Sequence, residues 1–204
     1  MTAPADAPAD APAPTRGVGR RLDSDSMAVL RRHAAAVGAA AVAAGAALAW
    51  RFGASPLLPA YLVFVALGCA LSAVDLALHR LPDALTLPAY PLFALLLAYP
   101  SVQEPGAALR ALLAAVAALV FYFAAALLPD GPGLGDVKAA GPIGALLGWT
   151  GWYAVIAGTF LAFVLTALAG SVQILARRAR GRSRLPFGPS LYGGAVLALL
   201  LFGR

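Results

Sequence analysis

The fold is decided by residues 57–78, which have the sequence LLPAYLVFVALGCALSAVDLAL and contain one charged side chain, Asp75. A helix needs about 20 predominantly apolar residues to cross a bilayer, so this stretch is long enough to span one. A carboxylate at the centre of a membrane helix costs about 2.5 to 3.5 kcal/mol on insertion scales. We therefore expect Asp75, near the end of this stretch, to have a partner or a chemical task.

The rest of the chain has the same apolar character. Of its 204 residues, 61% are hydrophobic and 12% are charged, with a mean hydropathy of +0.82, whereas soluble domains are about 45 to 50% apolar and 25% charged. This composition predicts an all-α fold, a polytopic membrane bundle of about seven transmembrane helices. The apolar runs lie at 34–50, 57–78, 84–99, 107–128, 137–149, 152–176 and 191–202.

Basic residues are distributed unevenly around these runs. With the amino terminus in the cytoplasm, three of the 15 Lys and Arg residues fall outside (Arg51, Arg110 and Arg204), and the other twelve fall inside. This asymmetry satisfies the positive-inside rule. The twelve are Arg16, Arg20, Arg21, Arg31, Arg32, Arg80, Lys138, Arg177, Arg178, Arg180, Arg182 and Arg184. Because they cluster beside apolar runs, they indicate a lipid bilayer as partner and argue against nucleic acid.

The amino-terminal part of the chain differs from the apolar remainder. Residues 1–15 repeat Ala, Pro and Asp without large apolar side chains, which predicts disorder. Five arginines follow between residues 16 and 32, so we divide the chain into a disordered and then basic cytoplasmic tail, 1–32, and a transmembrane domain, 33–204. With one cysteine, Cys69, and two histidines, the sequence contains no disulfide framework or zinc motif, and we expect neither metal nor cofactor.

The sharpest local feature is the sequence GPGLGDVK at residues 131–138. Gly133 and Gly135 allow unusual backbone angles and the close approach of another chain. Asp136 is placed to begin a helix, where Asp commonly caps free amides, so this residue alone leaves both capping and catalysis open.

Asp75 and Asp136 are expected at the same membrane face, because the first ends an apolar run at its cytoplasmic side and the second begins one there. A negative charge near a helix carboxyl end opposes the helix dipole. The structural interpretation of Asp75 is therefore a pairing with His79 or Arg80.

Two carboxylates at one membrane face can act together. Within about 3 Å of each other both cannot ionise, so they share a proton and titrate as a unit. One then takes a proton from water while the other gives one to a scissile carbonyl, which is the chemistry of an aspartic protease. The alternatives are a transporter or channel component that relays protons or binds a cation through the pair, and a scaffold in which the aspartates only cap helices.

Three blocks of sequence resemble the bacterial type IV prepilin leader peptidases, a family of GxGD intramembrane aspartyl proteases. The segment GLGDVK, residues 133–138, resembles the GxGD motif around its aspartate. DLALHRLPDALTLP, residues 75–88, is similar to the family's first aspartate segment, and LPFGP, residues 185–189, is similar to its Pro-Phe-Gly-Pro segment. The resemblance covers about residues 57–203.

The resemblance implies that Asp75 and Asp136 are the catalytic pair of a membrane aspartic endopeptidase in the bacterial cytoplasmic membrane. Its substrates are then type IV pilin-like precursors, cut at the cytoplasmic face after the glycine that ends a short basic leader, for pilus assembly or protein secretion. Larger members also N-methylate the trimmed pilin with S-adenosylmethionine and carry paired Cys-x-x-Cys motifs that this sequence lacks, so we expect peptidase activity alone. The residues expected to bind substrate or support the pair are Gly133, Gly135, Lys138, Pro186 and Gly188.

Four weaker expectations concern single features of the sequence. Lys138 either contacts the ionised aspartate or substrate, or extends to the membrane interface. Asp83 is expected to cap the helix that follows it. Gly144 and Gly148 predict close helix packing that brings Asp136 towards Asp75, and the arginines of 177–184 are expected to fix topology at an anionic lipid surface.

Overall fold

The fold is known from a computed structural model that describes residues 24–129, 131–176 and 185–203. Within these ranges the chain forms eight α-helices and no strand, so the all-α prediction is confirmed. The helices are α1 Ser24–Arg32, α2 Ala34–Phe52, α3 Leu58–Leu78, α4 Asp83–Gln103, α5 Pro105–Ala126, α6 Leu134–Thr150, α7 Trp152–Leu175 and α8 Gly188–Phe202. The expectations for residues 1–15 and 177–184 lie outside the described residues.

Helices α2 to α8 coincide with the seven apolar runs, but they differ in length. Five of the described helices, α2, α3, α4, α5 and α7, are long and apolar enough to cross a membrane. Helices α6 and α8 have only 17 and 15 residues. The chain is therefore a multi-pass membrane protein whose two shortest apolar helices need support from their neighbours.

Helix α1 was not predicted from the apolar pattern, because it lies in the basic segment before the first run. It packs against α3, with Ser26 fully buried. An exposed contact of 3.8 Å joins Asp25 to Arg80, which follows α3. The division of the chain at residue 32 stays a prediction.

Helix α4 begins one residue earlier than the cap prediction requires. The N-cap position is Pro82, in extended conformation, and Asp83 is the first helical residue without a capping bond from its side chain. The expectation that Asp83 caps this helix is therefore wrong, and its carboxylate is used in a contact with α6 instead.

Helix α6 is the centre of the bundle, surrounded by α4, α5, α7 and α8. Its tightest neighbour is α5: a Cβ at Gly144 would lie 2.7 Å from the Cβ of Ala118, and one at Gly148 would overlap Ala114. The predicted close packing at both glycines is present. This packing is between α6 and α5 and does not involve α3. The two glycines therefore help to fix the position of Asp136, but they do not bring it towards Asp75 as predicted.

Candidate active site

A cleft of about 1110 Å³ lies at the end of the bundle where α3 ends and α6 and α8 begin. Asp75 and Asp136 both line it, and they are only 4% and 5% exposed. Its walls also include the segments 79–81, 131–135 and 185–187, one face of α7, and Ala126 and Leu128 around the end of α5. The structure thus brings together the two aspartates that the sequence analysis placed at one membrane face.

Asp75 is held by the first turn of another helix. Its Oδ2 atom accepts a hydrogen bond of 2.8 Å from the backbone N–H of Gly188, the first residue of α8. The amino terminus of a helix carries partial positive charge, so α8 offsets the unfavourable position of this carboxylate near the end of α3. Of the two predicted partners, His79 interacts electrostatically with Asp75, while the hydrogen bond to the Oδ2 atom comes from this backbone amide.

Gly188 is required here because of space. A Cβ at this position would lie 2.8 Å from the Oδ2 of Asp75 and 3.2 Å from its Cβ, so a side chain would push the carboxylate away. The preceding Phe187 anchors this segment, with its ring 5.3 Å from Phe163 and 5.9 Å from Tyr122. Pro186 lines the cleft beside it.

Asp136 is in the first turn of α6 and is fixed in a similar way. Its Oδ2 atom accepts a hydrogen bond of 2.9 Å from the backbone N–H of Gly133, so the capping interpretation is correct for this oxygen. Its Oδ1 atom is buried and has no hydrogen-bond partner among the residues that the structure describes. An unpaired buried polar atom is costly, so capping alone does not account for this carboxylate.

For the glycines before Asp136, the prediction of unusual backbone angles is wrong, whereas the predicted close approach of another segment is confirmed at Gly135. Gly133 has a φ of −72°, and Gly135 is not in the left-handed region either, so neither needs glycine for its backbone angles. Gly133 contributes its N–H to Asp136. Gly135 contributes space, because a Cβ there would lie 3.1 Å from the Cβ of Leu81.

Lys138 is tied to α4. Its Nζ atom lies 2.7 Å from the Oδ1 of Asp83, and the two side chains are 41% and 38% exposed. The partner of Lys138 is therefore neither of the two cleft aspartates. Sequence reasoning missed the contribution of Asp83 to this region, because no sequence pattern relates the start of one helix to the first turn of another.

The chemistry available in the cleft is that of two carboxylates. Asp75 and Asp136 are close enough to interact electrostatically, and each has one oxygen fixed by a backbone amide at the start of a short helix. Among the described ranges, no group of three His, Cys, Asp or Glu side chains is placed to hold a metal ion. The arrangement is suited to proton transfer between carboxyl groups and a bound water.

Comparison with known proteins gives a consistent family assignment. The family model described as Type IV leader peptidase family matches residues 62–172, which include both aspartates. Three similar proteins carry the name Prepilin leader peptidase/N-methyltransferase. They are 37% identical over 143 residues in Burkholderia pseudomallei (strain 1026b), 30% over 156 residues in Stutzerimonas stutzeri and 30% over 156 residues in Bacillus subtilis (strain 168).

The matches cover more of this chain than of its relatives. They include 66%, 75% and 76% of this chain, but 43%, 53% and 60% of the three relatives in the same order. The chain thus spans about half the length of these curated proteins. No solved structure matches it.

Proposed function

Because the chain belongs to the type IV leader peptidase family, we propose that it is an aspartic endopeptidase of the bacterial cytoplasmic membrane, acting on type IV pilin-like precursors. It removes their short basic leader at the cytoplasmic membrane face. Asp75 and Asp136 form the catalytic pair. The proposal concerns the peptidase step alone, since the carboxylate cleft is the site that motivates it.

One observation carries this proposal: two nearly buried aspartates from distant segments line one cleft, and Asp136 keeps an oxygen that no described residue binds. A purely structural carboxylate would have both oxygens paired, because the surroundings otherwise oppose its burial. The fixed Oδ2 atoms hold both carboxyl groups in place before substrate arrives. Such preorganisation is what a general acid and base pair requires.

The proposed reaction follows from a shared proton. The ionised carboxylate takes a proton from water, whose oxygen attacks the scissile carbonyl carbon while the protonated carboxyl group gives its proton to the carbonyl oxygen. The resulting tetrahedral diol then collapses, the peptide C–N bond breaks, and the amine leaves with a proton returned from the pair. No covalent intermediate with the enzyme is formed.

The other residues of the matching motifs have supporting roles in this scheme. Gly133 and Gly188 donate the amides that hold the two carboxylates, while Gly135 provides the space for Leu81. Lys138 supports the first turns of α6 through Asp83, and Pro186 contributes to the wall that faces the substrate.

The relay hypothesis has no comparable observation in its favour. Proton or cation passage needs polar groups that continue across the membrane. Beyond Lys138, helix α6 continues with mostly buried apolar and glycine residues up to Trp149. The two carboxylates therefore lie in a cleft at one end of the bundle, and α6 provides no polar path that leads away from them.

The proposal is tested by co-expressing a type IV pilin-like precursor with the chain and measuring removal of its leader. Asp75→Asn and Asp136→Asn are each expected to lower the cleavage rate at least about 100-fold, because each removes one member of the acid and base pair. Glu104→Gln is the matched control, since this carboxylate is exposed and lies between α4 and α5, outside the cleft.

Membrane insertion of every variant is checked by its amount in washed membranes. Cleavage that persists at the wild-type rate in either asparagine variant would remove that aspartate from the mechanism. Absence of cleavage by the unmodified chain, with a precursor that a known relative cuts in the same cells, would refute the peptidase assignment.

A further inference from the structure

Helix α6 contains a proline, Pro142, six residues after Asp136. Pro142 has no N–H, so the carbonyl of Lys138, four residues earlier, lacks the backbone donor that normally binds it in a helix. The hydroxyl group of Tyr90, on α4, donates a hydrogen bond of 2.7 Å to this same carbonyl. A side chain from another helix thus replaces the backbone bond that the proline removes.

Gly141, immediately before the proline, makes the approach of Tyr90 possible. A Cβ at this position would lie 2.5 Å from the Oη of Tyr90 and 3.0 Å from its Cζ. The dipeptide Gly141-Pro142 therefore creates both the unpaired carbonyl and the space in which the tyrosine reaches it.

A second contact from α4 reaches the same residue of α6. The carboxylate of Asp83 binds the Lys138 ammonium group at 2.7 Å. Asp83 and Tyr90 are seven residues apart, two helical turns, so they lie on one face of α4. This face holds both the side chain and the carbonyl of the residue two positions after Asp136.

We propose that Tyr90 is a positioning residue for Asp136, holding the first turns of α6 through the Lys138 carbonyl that Pro142 leaves without a donor. This inference rests on the proposed peptidase function. Asp75 is fixed independently by α8, so the separation of the two carboxylates depends on where the first turn of α6 stands. A displacement of about 1 Å in a reacting group costs about 100-fold in rate.

A double-mutant cycle tests the proposal with purified protein in lipid nanodiscs and a pilin-like precursor as substrate. Tyr90→Phe removes only the hydroxyl group, and we expect kcat to fall about 10- to 100-fold with KM nearly unchanged, because Tyr90 does not line the cleft. Pro142→Ala restores a backbone donor for the Lys138 carbonyl. In that background Tyr90→Phe is expected to change kcat less than about twofold.

Thermal unfolding of the same four proteins provides a readout that needs no activity. With Pro142 in place, loss of the hydroxyl leaves a part-buried carbonyl oxygen without its hydrogen bond and is expected to lower the folding equilibrium constant about five- to tenfold. In the Pro142→Ala background the change is expected to be close to zero. Tyr99→Phe is the matched control on α4, because Tyr99 is 66% exposed.

The cycle separates the two proposals. A kcat for Tyr90→Phe within twofold of wild type would overturn the role of Tyr90, and so would an equal loss in both backgrounds, which would show that the hydroxyl acts elsewhere. Absence of cleavage by the unmodified chain would instead refute the peptidase assignment and with it any catalytic role of Tyr90. In that case, a smaller effect of Tyr90→Phe on unfolding in the Pro142→Ala background would still show that the hydrogen bond exists.

Discussion

The two short helices α6 and α8 have opposite chemistry at their two ends. At the cleft, each amino terminus binds a carboxylate: Gly133 donates to Asp136 and Gly188 to Asp75. At the far end, each carboxyl terminus is bound by an arginine from a neighbouring helix. One pair of ends thus holds anions and the other holds cations, as the helix dipole favours.

At the arginine end, each arginine donates to two backbone carbonyls. Arg110, from α5, donates at 2.7 and 2.6 Å to the carbonyls of Gly148 and Trp149, which a helix end leaves without intrahelical donors. Arg51, from α2, donates in the same way to the carbonyls of Leu200 and Gly203 at the end of α8.

These two arginines are exceptions to the positive-inside count, and their structural task explains them. A helix of 15 to 17 residues spans only about 23 to 26 Å, less than the roughly 30 Å hydrocarbon layer. Its last carbonyls therefore need a donor supplied by the protein. The aspartate end differs, because Asp136 keeps one oxygen free of described partners. The helix dipole favours the bound charge at both ends, but only the aspartate end has a carboxylate oxygen that no described residue binds.

The largest effect is expected from variants of Asp136 that separate its role as a helix cap from its proposed role in catalysis. In Asp136→Asn the amide oxygen still accepts from Gly133, so the melting temperature is expected to change little while cleavage falls at least about 100-fold. Asp136→Leu removes the cap as well and is expected to lower stability by about 1 kcal/mol. Rates and thermal melts of both variants, measured in parallel, check this; equal melting of the two would mean that the carboxylate has no capping role.

At the arginine end the expected pattern is reversed. Arg110→Met keeps the apolar stem but removes both carbonyl contacts, and we expect a loss of about 2 to 4 kcal/mol of stability with kcat of the folded protein unchanged. Arg110→Lys retains the charge with one compact donor group, so its stability is expected to lie between that of the wild type and that of Arg110→Met. Denaturant titration together with kcat in nanodiscs measures both quantities. A large loss of kcat in fully folded Arg110→Met would show that the arginine end of α6 affects catalysis at the aspartate end.

A third prediction sharpens the comparison within α8. Gly188→Ala places a Cβ against the Asp75 carboxylate, so cleavage is expected to fall about tenfold through displacement of the reacting group. The matched control is Gly193→Ala on the same helix, where the added Cβ would meet only Leu165 at 3.4 Å, an ordinary contact. Similar rates for the two variants would show that the space at Gly188 is not needed for catalysis.

The smallest expected effect concerns an ion pair outside these helices. Asp25 and Arg80 contact each other at 3.8 Å with side chains that are 71% and 47% exposed. Such exposed pairs contribute about 0 to 1 kcal/mol, so Asp25→Asn is expected to leave cleavage and melting almost unchanged. A strong loss of cleavage in this variant would show that charge around the cleft matters beyond its two buried aspartates.

The sequence by itself determined the membrane bundle and predicted where the proposed site lies. Helix length and apolarity are sums over neighbouring residues, and the positions of basic residues placed Asp75 and Asp136 at one end. The motif around Asp136 and the LPFGP block indicated the family. Each of these features is local, so it can be recognised without knowing how the helices pack.

The tertiary structure alone decided which groups are partners across helices. The amide that holds Asp75, the hydroxyl that reaches the carbonyl freed by Pro142, and the ammonium group that binds Asp83 all come from distant segments. Such pairings depend on the rotation and tilt of each helix about its neighbours. Those angles are set by packing, and a helix that is apolar on nearly every side encodes them weakly in its sequence.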